Sequence, residues 1–217
     1  MGRLLAYTKT AGYRHDSIPA GVQAVGELGF DVDHTEGALR NLADYAAIVF
    51  LSTSGDVLDQ ADRDALTGYL AGGGAWLGVH AASTTEYDWP WYGGLAGAWF
   101  DQHPEIQTAT MTVEDRDHPA TRHLGPAWTW RDEWYAFRTN PRTNPRANSW
   151  PDVHVLLSVD ETTYQGGTMG SDHPIAWCRE YGGGRSFYTA LGHGAEMFAE
   201  PDLRQHLRGA LDWLTGG

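Results

Sequence analysis

The sequence predicts an α/β fold: an open, mostly parallel, doubly wound sheet with an added antiparallel β segment. Three observations carry this. Short apolar runs alternate with amphipathic stretches through the N-terminal half. The runs Ile48 to Leu51 and Trp76 to Val79 are apolar at consecutive positions, as in strands covered by helices on both faces. After Trp89 the texture changes to aromatic, turn-rich segments with partial alternation, which suits antiparallel strands. With 217 residues and 41% hydrophobic content, one domain over residues 1–217 can close a single core.

The elements follow in order. Leu4 to Lys9 reads as a strand, Ser17 to Leu28 as a helix, "FDVDHT" and Ala46 to Ser52 as strands, Asp59 to Ala71 as a helix, and "AWLGVHA" as a strand. Asp16 or Ser17 can cap the first helix, with Pro19 tolerated in its first turn. Val22, Val25 and Leu28 mark its apolar face, and Gly29 ends it. The second helix starts at Asp59 and stops in Gly72 to Gly74. Beyond these, "IQTATMTVED", "WTWRDEWYAF", "HVLLSVD", "PIAWCREY" and "RSFYTAL" supply strands, the last two joined by a tight Gly182 to Gly184 turn. "TNPRTNPRANSWP" reads as a surface loop, and Pro201 to Leu214 as a terminal helix with Leu203, Leu207, Leu211 and Leu214 on one face.

Fifteen Lys and Arg stand against 28 Asp and Glu, a formal charge of -13 with no basic block, which argues against nucleic acid and anionic lipid as partners. A small-molecule ligand fits better, and the composition leaves a homo-oligomer open. The single cysteine, Cys178, excludes an intramolecular disulfide framework and a multi-thiolate metal site, and reads as core filling. No window approaches the ~20 apolar residues of a membrane helix, so the expectation is a soluble, cytoplasmic protein without membrane contact. Neither of the common glycine-rich nucleotide-binding motifs occurs in the required context.

In an open α/β sheet, ligands bind beyond the carboxyl ends of the strands. Those segments hold His15 in "GYRHDS", His80 in "GVHAAS", Glu133 and Tyr135 in "RDEWYAF", and His193 in "TALGHGAEMF". Small residues flank His80 as they flank the nucleophile of a strand-to-helix elbow, which would push its imidazole into the cleft. An imidazole there can act as acid or base, donate a hydrogen bond, or ligate a metal. Glycines flank His193, and Glu196 could reach back to orient its ring. Trp130, Trp134 and Tyr135 surround Glu133, and such burial would raise a carboxyl pKa and suit it to proton transfer. The competing readings are ordinary: an exposed loop His15, a turn-shaping His80, and a Glu133 paired with Arg131 or Arg138.

Ten Trp and ten Tyr beside six Phe form an unusual aromatic set. Tyr87, Trp89, Trp91, Tyr92, Trp99 and Phe100 follow the His80 strand and could form a lid for a sugar ring, with Glu86, Asp88, Asp101 or His103 bonding hydroxyls. Trp134 is a further candidate for substrate binding. For a divalent metal the candidate donors are His15, His80, His103 and His193 with Glu133, assembled from separate strands.

The stretches "TKTAGYRHDSI", "LSTSGDVL", "GGGAWLGVHAASTTEYDWPWYGGLAGAWFDQHP", "DEWYAF" and "HPIAWCREYGGGRSFYTALGHGAEMF" resemble the ThuA-like (trehalose utilisation) family. The resemblance implies a fold of the flavodoxin or class I glutamine amidotransferase-like type, a role in disaccharide or glycoside catabolism by way of 3-keto sugars, and His15, His80, Glu133, Tyr135 and His193 as shared motif positions. The amidotransferase elbow cysteine is replaced by His80, and Cys178 lies in a strand, so glutamine amidotransferase activity is excluded. The leading expectation is a sugar-processing hydrolase or lyase that uses histidine acid-base chemistry, with His80 or His193 as base and Glu133 or Tyr135 as acid. Its rivals are a non-catalytic sugar-binding or regulatory protein and a metal-dependent hydrolase.

Overall fold

The first half of the chain lays down strands one after another, each followed by a segment that crosses to the next. In the computed structural model, which describes residues 2–143 and 153–216, these are β1 (Arg3–Tyr7), α1 (Ile18–Glu27), β2 (Asp31–Thr35), β3 (Ala47–Leu51), β4 (Ser54–Gly55), α2 (Gln60–Ala71), β5 (Ala75–Val79), β6 (Thr84–Thr85) and α3 (Pro90–Ala96). The second half adds β7 (Phe100–Gln102), β8 (Gln107–Val113), β9 (Ala127–Asp132), β10 (Ala136–Phe137), β11 (His154–Val159), β12 (Pro174–Tyr181), β13 (Gly184–Thr189) and α4 (Pro201–Thr215).

Nine strands form one sheet in the order β2-β1-β3-β5-β13-β12-β11-β8-β9. Neighbours from β2 through β13 pair in parallel, and those from β13 through β9 pair antiparallel. The antiparallel segment therefore continues the main sheet rather than forming a separate layer. All five residues of β3 and of β5 are buried, as their continuous apolar runs predict. Each fully buried aliphatic side chain of this kind contributes about 1.5–3 kcal/mol relative to an exposed one.

Local sequence explains the helices in part. Asp59 accepts from Asp62 N at 2.8 Å, Asp62 returns a bond to Asp59 N, and α2 starts there. In α1 the expected cap is absent: Ser17 makes no side-chain cap, and its hydroxyl instead donates to Gly192 O at 3.4 Å. The α1 face also shifts, since Ile18, Gly21, Ala24 and Val25 are buried whereas Val22 and Leu28 are only partly covered. α4 buries Leu203, Leu207, Leu211 and Leu214 as its spacing requires. Most of "TNPRTNPRANSWP" lies outside the described residues; at its start Arg142 pairs with Glu114 and Asp172. Cys178 is buried and free. No helix of the described residues is long and apolar enough to cross a membrane.

Candidate metal and substrate site

β5 ends in a backbone that an L-residue rarely adopts. His80 has φ 52°, in the left-handed region, and opens a short 3-10 turn, His80–Ser83. The surroundings hold that conformation: Tyr188 donates to His80 O at 2.8 Å and also reaches Ser83 Oγ at 2.8 Å. His80 Nδ1 lies 2.7 Å from Ala190 O, and because a carbonyl only accepts, Nδ1 carries the proton. The lone pair on Nε2 is therefore aimed at the strand ends. It meets Tyr135 Oη at 3.0 Å and His15 Nε2 at 3.1 Å.

Four elements meet at this point. His15 precedes α1, His80 follows β5, Glu133 follows β9 and His193 follows β13. One ligand atom from each of these residues lies within 4.8 Å of all the others. His80 Nε2 is 3.5 Å and His193 Nδ1 3.0 Å from Glu133 Oε2. The His193 contact lies off the ring N–H axis, so it is a close ion pair rather than an aligned hydrogen bond, and His15 Nδ1 and His193 Nδ1 are buried without a hydrogen-bond partner. His103 stands just outside, its Nε2 3.5 Å from Glu133 Oε1.

Charge in this cluster runs opposite to the expectation for Glu133. Burial pushes its carboxyl up, but contacts with His193 and His80 outweigh burial and hold it well below the usual carboxylate range. It is an anion at neutral pH, not an acid, and it pairs with histidines rather than with Arg131 or Arg138. Close contact with that carboxylate raises His193. Burial, with His80 and His193 adding to it, pushes His15 down to about 3, so His15 is neutral and is not the exposed loop histidine of the ordinary reading. Burial also keeps the Tyr135 phenol protonated.

A pocket of about 340 Å³ opens beside the cluster. His15, Glu133 and Tyr135 line its floor, with Tyr13, Phe100 and His103 among the other walls. Rings of Tyr135 and His103 stack at 5.7 Å, and Phe100 packs on Tyr135 at 4.4 Å.

The aromatic lid does not form over this pocket. Trp89 stacks on Trp91 at 4.9 Å, Tyr87 donates to Phe100 O and lies under Arg138, and Trp134 is fully buried with its Nε1 bonded to Gln107 O. Of the residues expected to contact a sugar, Phe100 and His103 line the pocket. Glu86 is also structural: it is fully buried, accepts from Val57 N and Leu58 N, and pairs with Arg63. Glu196 does not orient His193; it lines a separate groove with Trp130 and Arg131.

Two supporting residues escape sequence reading. Asp132 is fully buried and accepts from Gly192 N at 2.9 Å, His193 N at 3.2 Å, Glu133 N at 2.9 Å and Trp130 Nε1 at 3.1 Å. It fixes the backbones that carry Glu133 and His193. His173 Nε2 donates to Tyr135 O at 2.8 Å while Nδ1 lies 2.8 Å from Glu161 Oε1, tying the Tyr135 segment down. The adjacency of Asp132 to Glu133 was the only available signal for the first; His173 had none.

The donor set suits a divalent transition metal. Four N and O ligands held at about 2.0–2.1 Å in a tetrahedron stand about 3.3 Å apart. Three of the separations, 3.0, 3.1 and 3.5 Å, lie near that value, and all fall within 4.8 Å. The ionised Glu133 and the neutral His15 are already in the protonation states such an ion requires, and the ion would displace the proton that Glu133 favours on His193.

Comparison with known proteins bears on the fold and family. A family model described as trehalose utilisation, ThuA, matches residues 3–214. A protein from Bacteroides uniformis described as ThuA-like is 25% identical, with a TM-score of 0.78 over 98% of this chain and 90% of that one. Another so described, from Parabacteroides merdae, is 18% identical with a TM-score of 0.79 over 99% and 90%. A β-galactosidase from Bacillus circulans shares the fold over 98% of this chain and 31% of its own, at 13% identity and a TM-score of 0.62. No curated protein matches the sequence.

Proposed function

The chain belongs to the ThuA, trehalose utilisation, family, and from that premise we propose that it is a divalent-metal-dependent enzyme acting on a sugar or keto-sugar. The observation that carries this reading is the convergence of His15, His80, His193 and Glu133 on one point beside a pocket. A divalent cation held there would polarise a carbonyl or hydroxyl oxygen of the bound sugar. On a 3-keto-glycoside that polarisation acidifies the neighbouring C–H.

Under this reading His80 and His193 hold the ion, and proton transfer falls to His103. His103 Nδ1 lies 2.8 Å from Pro104 O and so carries the ring proton, which leaves the Nε2 lone pair for the pocket. The Nε2 atom takes the C–H proton, the electron pair moves to the keto oxygen as an enolate, and collapse of the enolate expels the glycosidic oxygen. That oxygen takes the proton back from His103, so one group serves as base and then as acid. Tyr135, protonated and beside the cluster, donates a hydrogen bond to substrate oxygen. The chemistry is a lyase-type elimination, in keeping with the acid-base expectation but with a different proton carrier.

The experiment is elemental analysis of protein purified without chelator, followed by assay on 3-keto-glycosides before and after chelation. The reading expects about one transition metal per chain, turnover lost on chelation and restored by the same metal. Turnover unaffected by complete removal of metal would sink it.

A further inference from the structure

Tyr13 is the one large hydrophobic side chain that the fold leaves exposed among the described residues, with 70% of its surface open. The chain has ten Trp and ten Tyr, and every other one among the described residues is at least partly covered. The exposure is built into a fixed backbone. Ser54 Oγ donates to Tyr13 O at 2.6 Å, and Ala11 N and Gly12 N donate to Ser54 O at 2.7 and 3.2 Å. Gly55 has φ 74°, and a Cβ there would stand 2.8 Å from Gly12 N, so the two segments pack backbone to backbone.

The exposed ring lines the pocket rather than the general surface. It meets His15 edge to face at 4.8 Å, and His15 in turn lies 4.6 Å from His80, so one imidazole separates Tyr13 from the centre of the cluster. A pyranose presents an apolar C–H face and a rim of hydroxyls, and an aromatic ring with one open face beside polar groups matches both. Among the described residues, no Lys or Arg lines the pocket. Arg14, the nearest in sequence, is turned away to Glu36 at 2.6 Å and Thr8 O at 3.3 Å. Phosphate esters are recognised chiefly by such cations.

We propose that Tyr13 is the stacking platform of a subsite for an unphosphorylated pyranose ring, beside the histidine cluster. This rests on the reading of the pocket as a sugar site and adds the ring that binds and the class of sugar that fits.

The test is binding of trehalose, methyl α-glucoside and glucose 6-phosphate to the zinc-loaded protein by calorimetry and ligand-observed NMR, with zinc content measured in the same samples. Tyr13→Ala is expected to weaken binding of the neutral sugars about tenfold, while Tyr13→Phe stays within about twofold. Zinc content and melting temperature should not move in either variant, because the ring is exposed and holds no ligand. Neutral sugars bound equally by wild type and Tyr13→Ala, or glucose 6-phosphate bound more tightly than they are, would overturn the platform and leave the sugar site standing. If wild type binds none of the three, the platform falls together with the sugar reading, and the zinc content then reports whether the metal site survives alone.

Discussion

Two groups of buried histidines can be set side by side. His15 and His80 belong to the strand-end cluster; His118 and His206 pack around Phe187 of β13 with Trp213 and Trp128. Burial lowers His15 to about 3 and His118 and His206 to about 4. A depressed pKa therefore does not separate a site from a core. What separates them is where the ring nitrogens point. His118 Nδ1 accepts from Ala120 N, its Nε2 faces Cys178 Sγ at 3.8 Å, and His206 Nδ1 donates to Ala120 O. Both groups use one nitrogen on backbone, but His118 and His206 pack among aromatics, whereas His15, His80 and His193 bring a ring nitrogen each to within 4.8 Å of one another and of the Glu133 carboxylate. Buried histidine is a packing residue until several converge.

The contrast can be broken by paired substitutions. His80→Ala is expected to abolish stoichiometric metal and cut turnover by more than about 10³-fold. His206→Ala should do the reverse, costing about 2–3 kcal/mol in denaturant unfolding while metal stoichiometry stays at one. Metal lost from both variants, or kept in both, would erase the distinction.

His103→Ala comes next. It should lower kcat about 10²- to 10³-fold with metal content unchanged, and an unchanged kcat would return proton transfer to the cluster itself. Asp132→Asn places an amide N–H group against Gly192 N or His193 N, so metal affinity, read by competition with a chelator, should fall about 10- to 100-fold.

A further prediction concerns pH. The folded pKa values of His118 and His206 lie below that of an unfolded histidine, so between pH 6.5 and about 4 the unfolded chain binds more protons. Stability is then lost as pH falls through that window, by about 2 kcal/mol for each residue at pH 5. Unfolding of the metal-free protein should show this slope, and it should shrink in His206→Ala; a slope that persists unchanged would place its origin elsewhere.

Much of the fold could be read from local pattern because consecutive apolar runs, Gly punctuation and the α4 leucine face are short-range signals. The cap at Ser17 failed because a contact with Gly192, 175 positions away, took its hydroxyl. The aromatic lid failed for a related reason: Trp and Tyr bury large areas, and Trp89, Trp91 and Trp134 found partners within the fold before any ligand could use them. Tyr13 carried no special sequence signal, since exposure is a property of what does not pack against a residue.

The sequence alone determined which side chains stand at strand ends, because period and punctuation place His15, His80 and His193 just beyond β1, β5 and β13. Only the tertiary structure decided that Glu133 joins them. β9 is five places from β5 in the sheet order, yet Glu133 Oε2 is 3.5 Å from His80 Nε2. The antiparallel half must coil back, with residues 133–137 crossing the strand ends, held by His173 on Tyr135 O and by Phe137 against Trp177 and Tyr188. Such closure depends on sheet twist and long-range packing, which no local pattern encodes, and it sets both the ionised state of Glu133 and the geometry of the donors around it.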